Sequence, residues 1–197
     1  LSRVSLVKGI ANLFHAGIGP PLALKPLTHF GTEKAALSVL LSRLVGKMGP
    51  NPELLSLIEG ELKASNPVKM IDSVKAHSLP SHLLEDIEAA GQFHEPNLLK
   101  YLRKKESEGD MVDAIQTLTQ RLHKSGFDAI SYANRAEDKG STSLISLFED
   151  QFVPKKVTQG KDELMSLLTR VQPVLEDPAV VTPQVALKAK SLFKGGK

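Results

Sequence analysis

"GFDAISYANRAEDKGSTSLISLF", residues 126–148, is the stretch whose reading decides the fold. Gly126 stops the helix-like pattern ahead of it. In "FDAISYAN" Ile130 and Tyr132 stand two apart, on one face of a strand. "TSLISLF" reads as a second strand, and the polar "RAEDKGS" between them predicts a hairpin with a seven-residue loop. That loop is longer than a chain reversal needs, which points to a task beyond turning.

Upstream of the hairpin, two helices are predicted: "NLLKYLRKKESEG" and "DMVDAIQTLTQRLHKSG". The second has Asp110 as its N-cap and Gly126 as its stop. "HSLPSHLLEDIEAAGQFHEPN" holds a shorter helix that ends at Gly91, followed by a turn with Phe93 and a surface histidine, His94. "NPVKMIDSV" reads as a strand. "ELLSLIEGELKAS", with Pro52 at its start, reads as a helix. "EKAALSVLLSRLVG" is a strong helix, with Thr32 as N-cap and Ala36, Leu37, Leu40, Leu41 and Leu44 on one stripe. "LTHF" is a short strand ahead of it. Residues 2–16 carry Val4, Val7, Ile10, Ala11 and Phe14 at helical spacing, so a helix is expected there too. From Val153 the pattern changes to amphipathic helices. Val185, Ala189 and Leu192 lie beside Lys188, Lys190 and Lys194. Docking on the fold is the first expectation for that region, ahead of a partner protein or a membrane surface.

Composition narrows the function classes. The chain has 197 residues and no cysteine, which excludes disulfides, thiolate metal sites and cysteine nucleophiles. Its net charge is +3, but the clusters at Arg103–Lys105 and Lys155–Lys156 lack the interleaved aromatics of nucleic-acid binders. No apolar run is long enough to span a membrane, and nothing ahead of His29 reads as a signal peptide. These features speak against nucleic-acid and membrane partners. The start at Leu1 and the "GGK" end read as cuts in a longer chain. P-loop, GxGxxG, GxSxG and HExxH patterns are all missing, which argues against an NTPase, a Rossmann dehydrogenase, an α/β-hydrolase and a zincin.

Three constellations carry possible chemistry, and one is the turn with Phe93 and His94, where a surface histidine is expected ahead of a ligand. His29, Gly31 and Thr32 sit where a strand passes into a helix. A neutral imidazole orients hydroxyls, and a glycine lets a flat ligand approach the backbone. In "NRAEDKGSTS", residues 134–143, Glu137 and Asp138 precede a glycine and three hydroxyls. A carboxylate at a hairpin mouth can stabilise a developing sugar cation. Read alone, the His29 constellation is better explained as a strand-end histidine with a turn glycine, and the 134–143 stretch as a solvated hairpin turn.

Taken in order, "LTHFGTEKAA", "LPSHLLEDIEAAGQFHEPNLLKYL" and "GFDAISYANRAEDKGSTSLISLFEDQF" resemble the ADP-ribosyltransferase-like domains of phage and bacterial polyvalent proteins and effectors, over residues 26–153. The resemblance implies an α+β fold with a split β-sheet cleft, a helical insert over about 33–125 and C-terminal helices. The domain would cover 26–157, after a helical lead-in at 1–25 and before a helical appendage at 158–197. It implies NAD as substrate and a mono-ADP-ribosyltransferase acting on a protein acceptor, in the cytoplasm or delivered into a host or competitor cytosol. An NAD glycohydrolase and a catalytically inert partner-binding module are the alternatives. His29 would bond ribose hydroxyls, and the backbone at Phe30 and Gly31 would meet the nicotinamide carboxamide. Thr32 would support the turn, Tyr132 would line the cleft, and Ser141 and Ser143 would bond the cofactor or hold the loop. Glu137 would be the catalytic carboxylate, with Asp138 and then Glu149 as alternatives. Ser143 stands where many active transferases carry a glutamate ahead of the last strand, and Phe93 replaces the commoner tryptophan of the middle turn.

Overall fold

A computed structural model describes residues 10–18, 24–45, 54–73, 79–135 and 138–170. In chain order the elements are β1 (Ile10–Ile18), β2 (His29–Phe30), α1 (Glu33–Val45), β3 (Leu55–Leu62), β4 (Pro67–Lys69), α2 (Pro80–Ala89), α3 (Pro96–Ser107), α4 (Met111–Lys124), β5 (Ala129–Ala133), β6 (Thr142–Ser146), β7 (Phe152–Gln159) and α5 (Lys161–Arg170). The fold is α+β, with two sheets ordered β1-β3-β7 and β2-β6-β5-β4.

The hairpin forms as expected. β5 and β6 pair antiparallel, with Tyr132 opposite Ser143 and Ile130 opposite Ile145. β2 adds to the other edge of β6, with His29 opposite Ile145. Side chains alternate across a sheet, so this register puts His29, Ser143 and Tyr132 on one face and Phe30 and Leu144 on the other. Ile130 and Ile145 then meet the α2–α4 layer through Leu84, Leu102 and Leu118, all fully buried. Phe30 and Leu144 face the first sheet, where Leu13, Ile58, Leu62 and Phe152 complete a second core.

The helices follow their punctuation. Asp110 caps α4 by accepting from the Asp113 N–H at 3.3 Å. Pro80 and Pro96 open α2 and α3. The Thr32 hydroxyl caps α1 by accepting from Ala35 N–H at 3.2 Å.

The first sheet corrects three expectations. Residues 10–18 are a strand, not part of a helix. A bulge between Ile10 and Leu13, with Asn12 at φ 59°, breaks the alternation that would have marked it. "LSLIEGEL" is likewise a strand, β3, at the centre of its sheet. Leu55 to Ile58 are all buried, so both faces are covered and no period of two survives in the sequence. Pairing with neighbours on both sides overrides the helical preference of its leucines and glutamates. β7 joins the same sheet as an edge strand with mostly exposed side chains, where the change of pattern at Val153 suggests an appendage outside the sheet.

These strands also redraw the expected segments. The supposed helical insert contains β3 and β4. The boundary expected between residues 157 and 158 falls inside β7. α5 docks at once, with Leu164 1% exposed. Residues 171–197, with the basic amphipathic face expected there, lie outside the described residues, as do residues 1–9.

Among the described residues the two sheets are joined by one backbone bridge. Phe14 N–H donates to Gly31 C=O at 2.9 Å, and Gly31 N–H donates back to Phe14 C=O at 3.0 Å. The chain therefore leaves one sheet and touches the other just before α1 begins.

Candidate functional site

Beside that bridge lies a cavity of about 330 Å³. β1 contributes Phe14, His15 and Ala16 to its wall, and β2 with its flanks contributes Leu27 to Gly31. Ala35, Ala36, Val39 and Arg43 line it from one face of α1, and Tyr132, Asn134 and Ser143 from the hairpin. Of the residues expected at a site, His29, Phe30, Gly31, Tyr132 and Ser143 come together here. The His29 and Tyr132 rings meet edge to face, centroids 5.9 Å apart, and His29 Nδ1 lies 3.1 Å from the Tyr132 hydroxyl. The pair fixes the imidazole plane at the cavity wall.

Space at Gly31 is tight. A Cβ there would stand 3.0 Å from Ser143 Oγ and 3.3 Å from Ala35 Cβ. Of the main-chain groups expected to meet a ligand there, its N–H is taken by Phe14 C=O, and its C=O accepts one bond from Phe14 N–H and keeps a second lone pair. Polar contact at this end of the wall comes instead from the Ser143 hydroxyl, which accepts from Asn134 Nδ2 at 3.2 Å.

Thr32 and Ser141 are absent from the wall and hold the hairpin loop instead. The Thr32 hydroxyl donates to Asp138 Oδ2 at 2.6 Å, and Lys34 Nζ lies 3.5 Å from the other Asp138 oxygen. The Ser141 hydroxyl donates to Asp138 C=O at 2.8 Å. Asp138 is thus engaged at the start of α1, where a carboxylate also meets the positive end of the helix dipole. Arg135 N–H donates to Asp72 Oδ2 at 2.7 Å, which pins the loop's other flank. Glu137 lies outside the described residues. Glu149 is exposed in a 3-10 turn, Glu149–Gln151, beyond the end of β6 remote from the loop.

His15, Thr28, Asn134 and Arg43 are the polar wall residues that sequence reasoning missed. His15 was hidden by the helical reading of β1. Arg43 sits on the cavity face of α1 with Ala35, Ala36 and Val39, and a cation on an otherwise apolar stripe was the available signal. It donates to Ala16 C=O at 2.5 Å. His15 donates from Nδ1 to His29 C=O at 2.8 Å, the tautomer a carbonyl partner demands.

Burial holds the His15 pKa below its ordinary 6.5, and nearby Arg43 adds to the effect, against the opposing pull of the His29 carbonyl. Below pH 6.5 the unfolded chain takes up a proton that the folded chain resists. Stability contributed by neutral His15 is therefore complete above pH 6.5 and is lost as the pH falls through the folded-state value. Melting curves at pH 5.5 and 7.5 should show a smaller acid-side loss for His15→Gln, which keeps a donor for His29, than for wild type. Equal losses would mean that His15 is not held neutral.

The remaining candidates resolve as structure. His94 is exposed, with Nδ1 3.3 Å from Glu88, and Phe93 packs edge to face on Phe127. Arg103 pairs with Glu85, and Lys104 and Lys105 pair with Glu108, Asp110 and Asp113, so that basic run is neutralised along α3. Among the described residues no group of three histidines and carboxylates is placed to hold a metal ion, and no helix is long and apolar enough to cross a membrane. The chain matches no protein-family model, no curated protein and no solved structure.

Proposed function

We propose that the chain binds NAD in this cavity and is a mono-ADP-ribosyltransferase, working as a bacterial effector or toxin-like domain on a protein acceptor. One observation carries the reading. Strands remote in sequence bring His29, Gly31, Ser143 and Tyr132, the residues singled out by the resemblance, to one concave wall. The cavity's volume is at the lower end of ligand sites, suited to the nicotinamide–ribose half of a dinucleotide.

NAD supplies a glycosidic bond that breaks with a developing positive charge on the ribose. In this reading His29, oriented by Tyr132, bonds the ribose hydroxyls. Tyr132 gives the ring an apolar wall, and Ser143 with Asn134 gives it polar contact. Glu137 stabilises the charge from the hairpin loop.

A second reading is favoured by two observations. No carboxylate stands among the described wall residues, and the Gly31 N–H is taken by Phe14 C=O. Both suit a nucleotide-binding module that transfers nothing.

Labelled NAD incubated with the full chain and a cell lysate separates the readings. Transfer to a discrete protein should fall on the order of a hundredfold in His29→Ala and in Glu137→Ala. Tyr132→Phe should lower it roughly tenfold, through loss of the hydroxyl that orients His29. Nicotinamide release without labelled protein would make the chain a glycohydrolase. NAD binding without release would make it a binding module, and transfer that survives both alanine changes would refute the site.

A further inference from the structure

The Arg43 end of the cavity has a charge pattern that none of the site residues discussed so far explains. Arg43 is half-buried, and burial lowers its pKa. Its hydrogen-bond partner is an uncharged carbonyl, Ala16 C=O, and among the described residues no carboxylate pairs with it. A cation withdrawn from water without a counter-ion is costly, and a protein that needed only a strap between α1 and β1 could use an uncharged donor. Bonding Ala16 occupies one end of the guanidinium, whose fork offers further N–H groups. Neutral His15 beside it adds no charge, and no acidic side chain is among the described wall residues. Among the described wall residues Arg43 is thus the one formal charge, and it stands on the α1 side, with His29 and Tyr132 contributed by the strands.

We infer that Arg43 forms a phosphate subsite, so that the cavity takes a phosphorylated ribose ligand with its phosphoryl oxygens on the guanidinium and its sugar toward His29. Arginine's planar fork matches phosphoryl oxygens with two parallel hydrogen bonds, and a phosphate's charge offsets a half-buried cation more fully than a hydroxyl can. The α1 wall is otherwise Ala35, Ala36 and Val39, small enough to leave room for such a group. The assignment deepens the NAD reading by placing the diphosphate, but it holds for any nucleotide with that chemistry.

Calorimetry on the full chain with ADP-ribose, inorganic pyrophosphate and nicotinamide riboside tests it. Wild type should bind ADP-ribose and pyrophosphate. Arg43→Gln, which keeps a donor for Ala16, should weaken both by roughly thirtyfold and leave the phosphate-free riboside within about twofold. Arg43→Lys should retain part of the affinity, and melting curves would check that both variants are folded. Equal binding of ADP-ribose by wild type and Arg43→Gln overturns the inference. So does failure of both phosphate probes to bind wild type, or a preference of wild type for a simple carboxylate such as nicotinate over pyrophosphate. Phosphate binding that depends on Arg43 in a chain that neither cleaves nor transfers NAD would uphold this subsite while removing the transferase.

Discussion

Phe30→Ala should destabilise the chain by about 4 kcal/mol, the range for deleting a buried aromatic from a packed core. Phe30 is 1% exposed, and its ring stacks on Phe152 with centroids 4.2 Å apart and planes 18° from parallel. The His15 ring lies against it at 5.6 Å. The side chain thus joins β2 to β7 and β1, the two edges of the other sheet, and supports the strand on which His29 is carried. Truncation removes the stacked pair and opens the void between the sheets onto the cavity Phe30 already lines. In a chain of this length the melting temperature should drop about 10 °C. Phe30→Leu should lose less than half as much. A loss below about 1 kcal/mol for the alanine variant would mean that Phe30 does not sit between the sheets.

Gly60→Ala should cost about 3 kcal/mol, for a reason unrelated to backbone freedom. A Cβ at Gly60 would stand 2.3 Å from Val153 C=O and 2.4 Å from Phe152 Cζ. One obstacle is main chain, so a rotamer change cannot relieve it. β7 would have to move away from β3 at the irregularity between Glu59 and Gly60. Gly91 supplies the contrast. It ends α2 at φ +74°, but a Cβ there meets nothing within 4 Å. Gly91→Ala should therefore cost only about 1 kcal/mol, the torsional price of a left-handed residue. Urea unfolding of both variants checks the ordering. Similar costs would show that the β3–β7 contact is looser than the geometry requires.

What could be read from the residues divides along a physical line. Ile130 and Tyr132, Gly91, Asp110 and the prolines of α2 and α3 carry local instructions: alternation, caps and stops. Those elements appear where the residues put them. The first sheet carried no such mark. β3 is covered on both faces over Leu55–Ile58, β1 is interrupted by its bulge, and β7 turns most of its side chains outward. Periodicity reports burial on one side only, and none of these strands has it. The candidate site divides in the same way. His29, Gly31, Tyr132 and Ser143 are conspicuous by type and by their place on short strands. His15 and Arg43 become wall residues only when β1 and α1 pack around the bridge at Gly31. No local pattern foretells that packing.

The place of β3 between β1 and β7 has a consequence for how the chain is made. As synthesis proceeds, β1 and β3 can pair soon after both have emerged, but the far edge of β3 stays open until Phe152–Gln159 has been added. β2 waits through a still longer stretch of chain for β6. The wall that carries His29 and Tyr132 is thus among the last parts to close, and its closure depends on contacts between distant residues, the slow kind. A nascent chain halted after α4 would expose an unpaired apolar strand edge, a species prone to association and a natural client for a chaperone.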